Sequence, residues 1–278
     1  MRVADDVSLP TVDGTPLSGI APGGGERVPL AEAFGYPGVA SAYRHRPAYP
    51  DQVFSILTGL ITDTPRTVLD LGAGEGALAR PLAALVDQVD AVDISAAMIE
   101  EGRRRPGGDA ANLRWIVGAA ESAPVGGPYA LVTAGAAMHW MRWRETFGRL
   151  AAVMTDGALL AIGGHGHEDP PGLEEIIVRY SRSPDYDPDF RLVDALAETG
   201  LFEPVGEATT EPMPFRQRIE DYIEYLHSTS SLAREWMEPA EAAAFDREVA
   251  ETVAPFATDG WLDLPVTARF SWGRVHAG

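Results

Sequence analysis

Gly72, Gly74 and Gly76 stand at alternate positions directly after the short apolar run Val68, Leu69 and Leu71, and Asp70 lies two residues before the first of them. A strand that ends in glycines and opens into a helix, here over 77–85, lets a ligand approach bare backbone, and turns of this kind handle adenosine-type cofactors. Asp93 closes a second apolar run, where a carboxylate would hold ribose hydroxyls. Three histidines are candidate proton acceptors. His139 follows the fourth predicted strand and His165 the fifth, both on the edge where a cofactor would sit. His227 lies beside the apolar stripe of a predicted helix, where a packing histidine is the default reading.

The elements that must position these groups alternate. A helix is predicted over 50–61, strands over 67–71, 89–93, 113–117, 130–133 and 158–162, and helices after Ser95, a good N-cap, and over 143–154. Strands alternating with helices of this length indicate parallel βαβ units. Beyond Gly163 the pattern loosens. A helix over 193–198 stops at Gly200, a sixth strand is expected over 205–210, and 215–256 reads as helical because Ile219, Tyr222, Ile223 and Leu226 share one face. Val266, Ala268, Phe270 and Trp272 alternate as a last strand. Residues 1–35 read as an N-terminal arm. Residues 36–278 read as one domain, with cap segments at about 164–200 and 215–262.

Composition narrows the function classes. The chain has no cysteine, so disulfides, thiolate metal sites and a cysteine nucleophile are excluded. Its net charge is −19, and all 22 basic residues are arginine. A nucleic-acid binder needs a basic face, so neither nucleic acid nor an anionic membrane is an expected partner. The first residues carry no apolar leader, and no run is long enough to span a membrane, so a cytoplasmic location is expected.

The spacing Gly72-x-Gly74-x-x-Ala77 fits a dinucleotide fingerprint, so NAD and S-adenosylmethionine both suit the glycines and Asp93. Asp70 tilts the choice, because a carboxylate there suits a ligand with a cationic or amino-bearing end. Val68-Leu69-Asp70-Leu71-Gly72-Ala73-Gly74-Glu75-Gly76 resembles motif I of class I S-adenosylmethionine-dependent methyltransferases. Ala91-Val92-Asp93-Ile94-Ser95 resembles their acidic second motif, and Gly118 to Pro124 their adenine loop. Ala136-Ala137-Met138-His139-Trp140, the box Tyr43-x-x-Arg46-Pro47-x-Tyr49-Pro50 and the ending Phe270 to Arg274 are similar to the small-molecule branch that includes trans-aconitate methyltransferase.

The resemblance implies an α/β fold: a Rossmann-like seven-stranded mixed sheet of order 3-2-1-4-5-7-6, last strand antiparallel, with helices on both faces and a helical cap. It implies that Asp93 binds both ribose hydroxyls and that the backbone at Gly72 and Gly74 lies against the methionine part. Ile94 and Ala119 would sandwich the adenine, with Ala120 and Glu121 at its edge. Tyr43 and Arg46 would sit near the methionine carboxylate, and His139 would line the same subsite. Where many relatives carry Asp, this chain has Ala119. The segment after strand four lacks the Asn- or Asp-Pro-Pro-aromatic box, which argues against methylation of a nucleobase or amide nitrogen.

The expected reaction is methyl transfer to a small, apolar or aromatic acceptor, with O-methylation of a secondary metabolite preferred. C- or N-methylation, a non-methylating protein of the same fold, and an NAD-dependent oxidoreductase are the rivals. The run His165 to Asp169 offers nitrogen and carboxylate ligands, but it is short, Gly-rich and followed by Pro170 and Pro171, so it is read as an acidic loop and no metal is expected. Trp140, Trp143, Tyr222, Tyr225, Trp236 and Trp261 fall in segments expected to cover the site. A homodimer is left open.

Overall fold

The computed structural model describes residues 30–183 and 191–277. In chain order the strands are β1 (Thr67–Leu71), β2 (Gln88–Asp93), β3 (Leu113–Val117), β4 (Tyr129–Gly135), β5 (Met154–Gly166), β6 (Phe202–Thr209), β7 (Arg216–Arg218), β8 (Trp261–Asp263) and β9 (Thr267–Val275). The helices are α1 (Pro37–Ala42), α2 (Gln52–Gly59), α3 (Ala79–Ala83), α4 (Ala96–Arg104), α5 (Trp143–Val153), α6 (Leu173–Tyr180), α7 (Leu192–Glu198), α8 (Ile219–His227) and α9 (Pro239–Val253).

Seven strands form one sheet in the order β3-β2-β1-β4-β5-β9-β6. The strands from β3 to β5 pair in parallel, and β9 runs antiparallel to both β5 and β6. With β9 as the seventh strand of the sheet, this is the expected 3-2-1-4-5-7-6 arrangement. β1 and β4 are buried on both faces because helices cover the sheet on each side. Alternate residues divide between two cores: Leu69, Leu71 and Val132 pack with Phe147 on one face, and Val68 and Leu131 with Leu82 on the other. Ser95 caps α4 as expected, its hydroxyl accepting from the Met98 amide at 3.2 Å.

A third core lies outside the sheet. Leu173 and Ile176 of α6, Tyr222 and Leu226 of α8, Phe245 and Val249 of α9, and Leu262 of β8 pack together as a cap. α9 begins with Pro239 and a capping box between Glu238 and Glu241. Three expectations need correction here. The stretch 215–256 is not helical throughout: Arg216–Arg218 pairs antiparallel with Trp261–Asp263, burying Gln217. Residues 164–166 belong to the sheet, because Gly164, His165 and Gly166 continue the pairing with β9. α7 packs through Leu196 on the sheet's own core and not on the cap.

The N-terminal boundary also moves. Leu30–Gly35 forms a 3-10 turn whose Ala33 is fully buried against Val39 and Ala233. The Ser95 hydroxyl donates to the Phe34 carbonyl at 2.7 Å, tying this turn to the start of α4. The rest of the predicted arm, 1–29, lies outside the described residues.

Candidate active site

The glycine turn after β1 is forced by its backbone. Gly72 and Gly74 have φ of 64° and 56°, in the left-handed region that side chains avoid. A Cβ on Gly72 would lie 2.4 Å from the Cβ of Ala137. The loop after β4 therefore closes directly on this turn. It does so through Ala136, which holds a strained φ of 51° and donates its amide to Gly163 at 2.7 Å.

Above these turns, at the carboxyl ends of β1, β2, β4 and β5, lies a cavity of about 750 Å³, inside the range of roughly 300–1,000 Å³ typical of ligand pockets. Tyr43, Arg46, Gly72, Gly74, Asp93, Ile94, Ala119, Ala120, Glu121, His139 and His165 all line it. The tertiary fold thus gathers most of the predicted site residues from six separate segments.

Asp93 is the polar centre of one half. Its Oδ2 accepts from the Gly74 amide and its Oδ1 from the Ser95 amide, each at 2.7 Å. Burial raises its pKa, and these two amides oppose the rise. Ile94 beside it is 67% exposed, an apolar face open to the cavity. Glu121 accepts from the Arg142 amide at 2.7 Å, which fixes its carboxylate at the far edge.

The other half is framed by the N-terminal box and the cap. The Arg46 guanidinium lies 4.3 Å over the Tyr43 ring and donates to the Ser228 hydroxyl at 2.8 Å and to its carbonyl at 3.2 Å. His165 donates from Nε2 to the Pro47 carbonyl at 2.8 Å, and its ring lies 3.8 Å from that of Tyr49. His139 packs against Trp140 at 4.9 Å, and no described group hydrogen-bonds its ring. Burial pushes both imidazoles down to about 4, so both are neutral at pH 7.

Two predicted residues do not reach the cavity wall. Asp70 is buried beneath the turn, where its Oδ1 accepts from the Thr133 hydroxyl at 2.7 Å. Desolvation pushes its pKa up to about 7. Its role as a direct ligand for a cationic end is thereby corrected to support of the β1–β4 edge. His227 lies in the cap core, with Nδ1 against the Leu232 carbonyl at 2.7 Å and Nε2 against Asp246 at 2.8 Å. Its Phe245 contact is edge-on at 5.0 Å. Both ring nitrogens are occupied away from the cavity, so the structure places it as a packing residue.

The run after β5 splits apart as well. His165 faces the cavity, His167 is buried with its Nε2 sealed and unpartnered, and Asp169 accepts from Tyr222 at 2.7 Å. Among the described residues no three His, Asp or Glu side chains converge as a metal site would require. Sequence reading did not assign Phe34 or Tyr49 to the wall, which both of them line. Tyr49 was visible in the Tyr-x-x-Arg-Pro-x-Tyr box, whereas Phe34 had no signal, because it comes from the segment read as an arm.

Residues 68–157 match the family model of a methyltransferase domain. No curated protein matches the chain. Among solved structures, a protein from Anaeromyxobacter dehalogenans proposed to be a type II methyltransferase is similar, with TM-score 0.58 and 23% identity over 82% of this chain and 96% of that one. S-adenosylmethionine-dependent methyltransferases from Thiobacillus denitrificans and Geobacter sulfurreducens, each in complex with S-adenosylhomocysteine, are similar at TM-score 0.52 and 18% identity. Each likeness covers 86% of this chain, and 97% and 96% of the respective relatives. The chain therefore shares the Rossmann-like fold of these structures, and its residues 68–157 match a methyltransferase domain.

Proposed function

We propose that the protein is an S-adenosylmethionine-dependent methyltransferase acting on a small organic acceptor, by O-methylation in the tailoring of a secondary metabolite. The observation that carries this reading is the two-part cavity. One half has bare glycine backbone, a ribose-sized carboxylate position at Asp93 and an uncovered apolar face at Ile94. These fit a ligand with an adenosine end. The other half is walled by Phe34, Tyr43, Tyr49, Trp140 and Tyr225, which suits an apolar or aromatic acceptor.

S-adenosylmethionine supplies a methyl group on a sulfonium, an activated donor. The chain's task is then to orient and to exclude water. Asp93 holds the ribose through lone pairs left beside its two backbone contacts. Ile94 and Ala119 enclose the base, with Ala120 and Glu121 at its edge. Arg46, steadied by Ser228 and Tyr43, faces a carboxylate. The likeness of the Ala-Ala-Met-His-Trp segment to the trans-aconitate methyltransferase branch supports a small-molecule acceptor, as does the net charge of −19, which disfavours nucleic acid.

Calorimetry with S-adenosylmethionine and with NAD tests the cofactor. Binding of the first and no response to the second is expected; the reverse would end this reading. Transfer of labelled methyl to a metabolite extract, followed by mass and NMR analysis of the product, tests the acceptor. A methyl ether is expected, whereas a C- or N-methyl product would move the protein to another acceptor class.

A further inference from the structure

We propose that His165 is the general base, and hence that the acceptor is a hydroxyl that must lose its proton and not a carboxylate or a free amine. The inference rests on the methyltransferase reading and adds the proton's destination.

Three observations single out this ring. First, it is oriented. Its Nε2–H is committed to the Pro47 carbonyl at 2.8 Å, so the neutral ring carries its lone pair on Nδ1. Pro47 acts as the positioning group, as an orienting acceptor does for other catalytic histidines. Second, Nδ1 is available. The one histidine nitrogen both sealed from solvent and unpartnered among the described residues is His167 Nε2. His165 lines the cavity, and no described residue donates to its Nδ1. Third, it stands beside the turn that receives the cofactor. His165 lies two residues beyond Gly163, which pairs with Gly135 of β4. A Cβ on Gly135 would come within 2.6 Å of the Tyr49 hydroxyl, and the Tyr49 ring in turn packs on His165. Gly72, Ala137, Gly135, Tyr49 and His165 thus form one continuous wall. His139 shares the cavity but has no partner to fix its tautomer, and His227 has no free nitrogen facing it.

The acceptor oxygen forms a bond to the methyl carbon while the carbon–sulfur bond breaks, its electron pair going to sulfur. His165 Nδ1 takes the hydroxyl proton as the oxygen gains positive character, and the imidazolium later releases it to solvent. A weakly basic ring suffices, because a hydroxyl oxygen that is being alkylated becomes far more acidic than a free alcohol. The charged and titratable neighbours of His165 are Arg46 and His167, both of which disfavour its cationic form, together with Tyr49 from the loop before α2.

The wild-type protein itself provides the first test. In ¹⁵N-labelled full-length chain, with the signals assigned by their loss in His165→Gln, His165 should show a fixed Nε2–H tautomer at pH 7. A protonated Nδ1, or a ring already cationic at pH 7, would overturn the proposal. Diethyl pyrocarbonate should modify His165, and saturating S-adenosylhomocysteine should protect it. Protection absent while calorimetry shows S-adenosylhomocysteine bound would remove His165 from the transfer site and leave the methyltransferase reading intact; failure to bind S-adenosylhomocysteine would instead defeat that reading. On the acceptor found by labelled-methyl transfer, His165→Gln should lower kcat by about 10²–10³-fold with S-adenosylhomocysteine affinity unchanged. Full kcat, or an acceptor that is a carboxylate or an amine, would refute the assignment.

Discussion

Asp93 has two tasks at once, since its carboxylate holds the glycine turn through Gly74 and anchors Ser95, the N-cap of the next helix, while facing the cavity. Its removal should therefore act on affinity more than a lone ribose contact would. Asp93→Ala is expected to weaken S-adenosylmethionine binding by about 2–4 kcal/mol, because hydrogen bonds to a charged acceptor are worth roughly 1.5–3 kcal/mol each. Calorimetry checks this, and unchanged affinity would place the ribose elsewhere. Gly72 is constrained twice, by a φ of 64° and by Ala137. Gly72→Ala should cost about 1–3 kcal/mol of stability from the backbone alone. It should also push the 136–141 loop off the cavity, so that thermal unfolding and cofactor affinity fall together.

At the scale of elements, the cap is joined to the sheet domain through the N-terminal box. Asp221 of α8 lies 3.2 Å from His45, Gln217 donates to the His45 carbonyl at 2.7 Å, and Ser228 receives Arg46. The cap's own integrity depends on α8 packing against α9, where His227, Asp246, Arg234 and Glu224 form a linked polar chain. His227→Ala leaves Asp246 and the Leu232 carbonyl without this partner and opens a gap beside Phe245. A loss of about 2–4 kcal/mol in urea unfolding is expected, with the dissociation constant for S-adenosylhomocysteine within about twofold of wild type. A large loss of affinity with unchanged stability would return His227 to the site. The alternation of strands and helices from 67 to 162 was legible because each parallel strand is a short apolar run bounded by turn residues. β7 and β8 were not. They are only three residues each, far apart in sequence, and neither has alternation enough to stand out from the helical pattern around them.

For the whole molecule, the buried carboxyl beneath the turn links stability to pH. Desolvation raises Asp70 to about 7 from an ordinary 3.8, so between these values the folded state holds a proton that the unfolded chain has released. Its contribution is full below about pH 4 and declines as pH rises toward 7. Asp70→Asn cannot ionise and escapes that decline. The stability of the variant relative to wild type should accordingly rise across this window by up to a few kcal/mol, at about 1.4 kcal/mol per pH unit, and level off above pH 7. Urea midpoints at several pH values measure it. A pH-independent difference would mean that Asp70 stays ionised in the fold.

The chemistry-bearing residue types and their local backbone demands are properties of the sequence alone. Glycines at alternate positions after a buried strand, a serine at a helix start and an acidic residue closing the second strand each express a steric or hydrogen-bonding rule that operates over a few residues. The same short-range rules gave the strands from β1 to β5. What only the tertiary structure decided is which side of the sheet each group faces and what else competes for its polar atoms. Asp70 and Asp93 look alike in sequence, yet one is buried beneath the glycine turn against Thr133 of the neighbouring strand and the other opens on the cavity. Three histidines had comparable claims, and long-range partners separate them: Asp246 occupies His227, Pro47 orients His165, and nothing described holds His139. Those partners lie up to 118 positions away in the chain, a separation over which residue type and spacing carry no information and packing alone decides.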